Sequence, residues 1–182
     1  MKVVLDSCVL YPTVMREMIL GAAKIIGWTP LWSERILEEW ARAARKAGQT
    51  GKLQARAEIA LIKSRWPEAE IDYLPDLEKR LWLPDRNDRH VLATAISGKA
   101  DVIVTLNSSD FPSYILREEG LERLHPDVLL MQNFWNYSVE MTILAQNLTE
   151  KACRLTGRDW DTRRLLRKAR LPRLAKAIIN SL

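Results

Sequence analysis

The sequence predicts an α/β fold, a three-layer α/β/α domain with a central parallel sheet, followed by a helical C-terminal extension. Short continuous apolar runs are typical of buried parallel strands, and helical periodicity separates them. Strand signals end near His125, and the helical patterns beyond it are broken at Gly157 and Pro172. We therefore expect a domain at residues 1–125 and a basic helical extension at residues 126–182.

Within residues 1–125 the predicted elements alternate between strand and helix. Strands are expected at Lys2–Leu5 and Asp101–Leu106 and, from weaker signals, at Thr29–Trp32, at Ile71–Leu74 and, as an edge strand, at Leu121–His125. Apolar residues at helical spacing predict helices over Thr13–Ile26, Ser33–Ala47, 53–66 and 88–97. This alternation is that of a wound parallel sheet.

Composition excludes several protein classes. The 182 residues are 47% hydrophobic and 28% charged, values of a globular chain rather than a disordered or collagen-like one. The first apolar run is too short for a signal peptide, and no run approaches the length of a membrane span, so we expect a soluble cytoplasmic protein. Cys8 and Cys153 suggest neither a disulfide framework nor a zinc site, and we expect both to be small buried hydrophobic residues.

Positive charge is concentrated at the C-terminal end. Residues 151–182 carry ten Lys and Arg against two Asp, a net charge of +8, whereas the remaining residues sum to −3. This pattern indicates a polyanionic partner such as RNA, although a solvated helix face accounts for it equally well. The candidate RNA-binding residues, which span about one and a half helical turns, are Arg163, Arg164, Arg167 and Lys168.

Acidic residues follow the predicted strands where a ligand site is expected. Ligands of open parallel sheets bind outside the carboxyl ends of the strands, and Asp6 and the loop from Thr105 to Asp110 occupy that position. Asp85 and Asp88 precede a predicted helix, where capping is the simpler explanation for either one. Asp6 alone could likewise be a turn or cap residue.

The helix after the second strand offers two neighbouring glutamates, which helical geometry separates. Taking about 100° per residue from the apolar stripe, Glu39 borders the packed face and Glu38 points to solvent. The candidate site therefore draws on four separate segments and consists of Asp6, Glu39, Asp88, Asn107 and Asp110. Hard oxygen ligands of this kind suit Mg²⁺ or Mn²⁺, and such a site suits hydrolysis of a phosphodiester.

These residues together resemble the PIN-domain ribonucleases, many of which are VapC-type toxins of toxin–antitoxin pairs. The family pattern has an Asp that ends the first strand, a Glu in the second helix, a helix of the form Asp-x-x-apolar-apolar-Ala-x-Ala, and a Thr-x-(Asp/Asn)-x-x-Asp-Phe loop after the fourth strand. Residues 1–125 match it with Asp6 in Val-Val-Leu-Asp-Ser-Cys-Val-Leu, Glu39 in Ile-Leu-Glu-Glu-Trp, Asp88 within Asp85–Ala95, and Thr105–Pro112.

The resemblance implies a metal-dependent endoribonuclease. Its catalytic residues would be Asp6, Glu39, Asp88 and Asp110, and Asn107 would join them as a metal ligand. The implied cofactor is Mg²⁺ or Mn²⁺, and the implied partners are an RNA substrate and a cognate antitoxin, with a homodimer left open. Ser7 stands where the family has a small Asn or Thr and can still support the carboxylate of Asp6. Asn107, a neutral ligand, replaces a fourth carboxylate, for which Asp110 can substitute.

Two other functions compete with this hypothesis. The first is a catalytically inactive PIN-like module that binds RNA or protein. The second is a phosphatase with an Asp nucleophile, which requires a second Asp two residues after Asp6, where Cys8 stands. The two histidines, His90 and His125, lack the Ser or Cys partner of a hydrolase triad, so we expect them to pack or cap rather than to act in catalysis.

Overall fold

The structure, a computed structural model, describes residues 1–181. Its strands are β1 (Lys2–Leu5), β2 (Thr29–Leu31), β3 (Val102–Val104) and β4 (Glu122–Leu124). Its helices are α1 (Ser7–Leu10), α2 (Thr13–Ile26), α3 (Glu34–Ala44), α4 (Gly48–Arg65), α5 (Pro75–Arg80), α6 (Arg89–Ser97), α7 (Ser113–Glu118), α8 (Pro126–Phe134), α9 (Ser138–Thr156), α10 (Thr162–Lys168) and α11 (Pro172–Asn180). Short 3₁₀ turns cover Arg45–Ala47, Arg86–Asp88 and Ser108–Asp110.

The four strands form one parallel sheet in the order β2-β1-β3-β4, and helices flank it. The register pairs Val3 with Pro30 and Val4 with Ile103. β1 and β3 lie at the centre and are almost wholly buried, which explains their continuous apolar runs. Pro30 lies in edge strand β2, where a residue without an N–H is tolerated. The predicted α/β class is therefore confirmed, and β4 is the expected edge strand.

The prediction of a strand at Ile71–Leu74 is wrong. At this place the structure has only an isolated bridge that pairs Trp32 with Glu70. The segment leaves the sheet, since Leu74 is 75% exposed, and Pro75 then begins α5. The loop expected after a fourth strand consequently follows the third strand of the chain. The short helices α1, α5 and α7 were not predicted.

The chain divides into two compact units. The first consists of Met1–Tyr11 and Thr29–Leu124 and contains the sheet. The second consists of Pro12–Trp28 and the chain from His125 onward, so α2 belongs with the C-terminal helices. The sequence did not reveal this grouping, and the division at residue 125 stays a prediction. Within residues 1–181 no helix is both long and apolar enough to cross a lipid bilayer.

In the second unit α2 packs against α8, α9 and α10. Its buried face includes Met15, Met18 and Ile19. Gly21 brings α2 close to α9, since a Cβ atom there would lie 2.6 Å from the Cδ2 atom of Leu144. The helix ends at the predicted residue because Gly27 has a φ of +82°, which favours glycine.

A buried carboxylate anchors α11. Asp127, on α8, is 3% exposed, and its oxygens accept hydrogen bonds from the backbone N–H groups of Arg173 at 2.8 Å and Leu174 at 3.0 Å. These N–H groups lie in the first turn of α11, where a helix supplies no acceptor of its own. Asp127 therefore caps a helix from which it is more than 40 residues distant in sequence.

We expect Asp127→Ala to lower the free energy of unfolding by about 2 kcal/mol, because two backbone N–H donors, one of them buried, lose a charged acceptor. Asp127→Asn should cost less, since its amide oxygen still accepts one of the two bonds. Urea denaturation of the three proteins measures the difference. Equal stability of the alanine variant and the wild type would contradict this role.

Candidate active site

The backbone of Asp6 continues β1 into α1. Its N–H donates to the carbonyl oxygen of Val104 at 3.1 Å, and its own carbonyl accepts from the N–H groups of Val9 and Leu10. The side chain makes no capping hydrogen bond to α1. Capping therefore does not explain the carboxylate at this position.

Three neighbouring side chains hold the carboxylate of Asp6, which is 4% exposed. The Thr105 hydroxyl donates to Oδ2 at 2.6 Å. The Cys8 thiol donates to the same oxygen at 3.0 Å, and the Ser7 hydroxyl donates to Oδ1 at 3.2 Å. Ser7 thus supports the carboxylate as expected. Because Thr105 follows β3, its bond to Asp6 joins the ends of the two central strands.

Cys8 serves as a donor to this carboxylate. Burial, followed by the negative charge of Asp6, raises the pKa of the thiol to about 12. The sulfur also accepts from the backbone N–H of Leu106 at 3.3 Å. The expectation that both cysteines are small buried hydrophobic residues is wrong, because Cys8 and Cys153 are only partly buried and the thiol of Cys8 makes hydrogen bonds. A protonated thiol at position 8 cannot replace the second Asp of a phosphatase.

Asp85 and Asp88 differ in what they do at the start of α6. Asp85 accepts from the N–H of Asn87 at 2.8 Å and so caps the 3₁₀ turn. Asp88 lies at the N-cap position of α6 but makes no capping hydrogen bond with its side chain. The capping explanation therefore applies to Asp85 and not to Asp88.

The half-buried carboxyl of Asp88 lies among other acids. Its pKa is raised to about 7, first by burial and then by the negative charges of Asp6, Asp110, Asp85 and Glu39. The charges of the three other predicted catalytic carboxylates, and that of Asp85, therefore reach Asp88. The sequence did not indicate Asp85 as a site residue because its capping position already accounted for it.

Glu39 reaches the site from α3 and is held by His90. The buried His90 ring lies on α6, and its Nε2–H donates to Oε1 of Glu39 at 2.8 Å, since a carboxylate oxygen accepts. Glu39 is partly buried, as expected for the border of the packed face. Glu38 is also partly exposed and pairs with Arg56 at 2.6 Å. His90 is a supporting residue that sequence reasoning missed, because the hydrogen bond depends on packing of α3 against α6.

The loop after β3 positions Asp110 and Asn107 differently. Asp110 acts on Asp88 through its charge and accepts from the Ser109 hydroxyl at 3.2 Å. Asn107 is exposed, and its backbone N–H donates to the Thr105 hydroxyl at 3.0 Å. The contacts that the structure gives Asn107 are made by its backbone rather than by its amide side chain.

The donor chemistry of the cluster fits a hard divalent cation. Its groups are carboxylates, and burial followed by the negative charges of the others raises the pKa of Asp88. A bound cation would relieve that repulsion. Among the residues that the structure describes, no three His, Cys, Asp or Glu side chains lie close enough together to form a ready-made metal-binding group.

The four candidate RNA-binding residues lie on α10 in the second unit and are all exposed. Arg164 and Lys168 lie over the ring of Trp160, at 5.4 and 4.9 Å from its centroid. Arg163 and Arg167 instead line a cavity beside α11. His125, also in this unit, accepts from the N–H of Asp127 at 3.1 Å and so caps α8, as expected.

Comparisons with known proteins find sequence similarity over parts of the chain. The model of a PIN domain family matches residues 2–109. A segment of 44 residues is 48% identical to a protein of Mycobacterium tuberculosis (strain ATCC 25618 / H37Rv) named "Putative ribonuclease VapC50". This match covers 24% of the chain and 26% of that protein, so the chain spans about a quarter of the relative's length. No solved structure matches the chain.

Proposed function

Because the chain belongs to the PIN-domain family, we propose that it is a metal-dependent endoribonuclease that hydrolyses RNA phosphodiester bonds. The observation that carries this proposal is the half-buried Asp88 near the end of the sheet where ligands bind, whose pKa is raised by burial and by the charges of four other acids. Capping does not account for the side chains of Asp6 or Asp88.

The residues that would hold Mg²⁺ or Mn²⁺ are Asp6, Glu39, Asp88 and Asp110, with Asn107 as a neutral fifth candidate. When bound, the metal supplies an activated water and positive charge opposite the phosphate. The remaining parts of the mechanism belong to the chain. Its strand ends bring the carboxylates together, and its hydrogen bonds orient their oxygens.

Two sets of contacts preorganise these oxygens. Thr105, Cys8 and Ser7 hold both oxygens of Asp6, and His90 holds one oxygen of Glu39. Burial and the neighbouring charges raise the pKa of Asp88 to about 7, so a cation that binds its carboxylate competes with a proton. Metal binding should accordingly strengthen as the pH rises through 7.

Cleavage of end-labelled RNA tests the proposal. We expect the purified chain to cut internal phosphodiester bonds with Mg²⁺ or Mn²⁺ and to stop when EDTA is added. Cleavage that persists in EDTA would contradict the metal requirement. The absence of cleavage over a wide range of RNA substrates and both metals would contradict the enzymatic activity.

We also propose that the chain is the toxin of a toxin–antitoxin pair and acts in the cytoplasm, where its RNA substrate lies. The family and the segment shared with the protein named "Putative ribonuclease VapC50" support this role. Its cognate antitoxin would be a protein that covers the acidic site. Growth arrest on expression of the chain, relieved by coexpression of the neighbouring reading frame, tests that partner, and size-exclusion chromatography tests a homodimer.

The alternative is a catalytically inactive PIN-like module that binds RNA or protein. The neutral, exposed Asn107 and the lack of a ready-made metal-binding group among residues 1–181 favour it. RNA binding without cleavage under every metal condition would support this function in place of the nuclease.

The bond from His90 to Glu39 gives a further prediction. We expect His90→Leu to weaken Mn²⁺ binding about tenfold, because Glu39 loses the donor that orients it. His90→Gln retains an N–H donor and should restore much of the affinity. Calorimetric titration of Mn²⁺ into the folded proteins measures both. Identical affinities in wild type and the leucine variant would show that the bond only supports packing.

A further inference from the structure

Helices α10 and α11 enclose a concave surface in the second unit. The cavity has a volume of about 360 Å³ and is lined by Arg163, Arg167, Pro172, Lys176, Ile179 and Asn180. Because the buried Asp127 anchors the first turn of α11, one wall of this groove is fixed in place. We refer to these six residues as the α10–α11 groove.

The basic residues of α10 separate into two faces. Residues four apart lie on the same side of a helix, so Arg163 and Arg167 form one pair and Arg164 and Lys168 form another. The first pair lines the groove, and the second lies over Trp160. The four cations that the sequence grouped together therefore have two different environments.

The groove carries concentrated positive charge. Arg163, Arg167 and Lys176 line it, and no acidic side chain does. In the described part of the chain none of the three forms an ion pair with a carboxylate, although such pairs stabilise other surface cations such as Arg56 and Lys63. Three exposed cations around one cavity repel one another, and an anion placed among them would remove that repulsion.

We propose that the α10–α11 groove binds the phosphodiester backbone of single-stranded RNA, an inference that rests on the proposed ribonuclease function. Guanidinium groups bind phosphate oxygens in a bidentate manner. The amide of Asn180 offers both a donor and an acceptor, which a base or ribose can use. A cavity of this volume has room for a group the size of a nucleotide.

The test compares two double substitutions with the same loss of charge. Arg163→Gln with Arg167→Gln alters the groove, and Arg164→Gln with Lys168→Gln alters an adjacent face of the same helix, about 100° around its axis. Binding of a fluorescein-labelled single-stranded RNA is followed by anisotropy in EDTA, so that cleavage does not interfere. All four positions are exposed, and circular dichroism confirms that each variant is folded.

We expect the groove variant to bind about tenfold more weakly and the control variant to bind like the wild type. The salt dependence of log K should fall by about 1.4 in the groove variant, since each lost phosphate contact removes about 0.7. Arg163→Lys with Arg167→Lys retains the charges and should restore the salt dependence. Lys176→Gln should weaken binding independently of the arginine pair.

Three outcomes would overturn the proposal that the α10–α11 groove binds RNA. Equal losses in the two double variants would show a diffuse charge effect, and equal binding by wild type and groove variant would exclude RNA from this surface. Displacement of RNA by polyglutamate at equal charge concentration would identify the groove as a site for acidic protein. The metal-dependent cleavage assay on the wild type stands apart from these measurements, so failure of the groove and failure of the nuclease function are distinguishable.

Discussion

Asp6→Asn is expected to lower the rate of RNA cleavage about 100-fold or more. The substitution keeps the size of the side chain but removes a negative charge from the proposed metal site, and loss of a main electrostatic group costs that much in other enzymes. The asparagine oxygen can still accept from the Thr105 hydroxyl, so the variant should fold. Single-turnover cleavage of labelled RNA at saturating Mn²⁺ measures the change.

The matched control is Asp101→Asn. Asp101 is an exposed carboxylate just before β3, at the amino end of the sheet, and accepts from the N–H of Lys2 at 2.7 Å. Its replacement removes the same charge far along β3 from the site and should leave cleavage unchanged. Full cleavage by folded Asp6→Asn would contradict the assignment of Asp6 as a catalytic metal ligand.

Asp88→Asn should have two opposite effects. Cleavage should fall about 100-fold, and at pH 8 without metal the free energy of unfolding should rise by about 1–2 kcal/mol. Burial and neighbouring acids raise the pKa of Asp88 to about 7, so its ionised form is unfavourable in the folded state. For a fully buried carboxyl, a pKa shift of this size would correspond to about 4 kcal/mol of unfolding free energy. Solvent screening at this half-exposed position reduces that value.

The pH dependence follows from the direction of this change. Because the folded-state pKa lies above the unfolded value, the folded chain binds the extra proton and loses stability as the pH rises from about 4 to 7. Denaturation at pH 4 should therefore give similar stabilities for wild type and Asp88→Asn. Asp76→Asn, at an 86% exposed side chain, is the control. If Asp88→Asn raised the free energy of unfolding equally at pH 4 and pH 8, this electrostatic cause would be excluded.

The sequence predicted the parts of the fold that depend on local pattern. Apolar spacing and a glycine with positive φ define α2, whose bounds agree with the prediction. The segment from Ile71 to Leu74 shows the limit, because an apolar run forms a strand only where a sheet edge and a core receive it. The pairing of α2 with the C-terminal helices depends on long-range packing, which periodicity does not reveal.

The same distinction applies to the candidate site. Asp6 was predicted from its position at the end of a strand, and Glu39 from its angle on a helix. Both predictions are possible because a parallel sheet and a helix have fixed geometry. The residues that hold these carboxylates are distant in sequence, as Thr105 is from Asp6 and His90 is from Glu39. Such contacts form only when strands and helices pack, so the sequence motifs indicated the acids but not all of their donors.

The second unit combines an early helix of the chain with helices that are synthesised much later. Helix α2 leaves the ribosome roughly 100 residues before the helices that cover it, a delay of about 5–20 s at ordinary elongation rates. During this interval Met15, Met18 and Ile19, which are buried in the folded chain, have no native cover. A nascent chain that stalls before residue 125 would therefore expose the apolar face of α2 to chaperones and proteases. Premature termination there should yield aggregated protein rather than a soluble first unit.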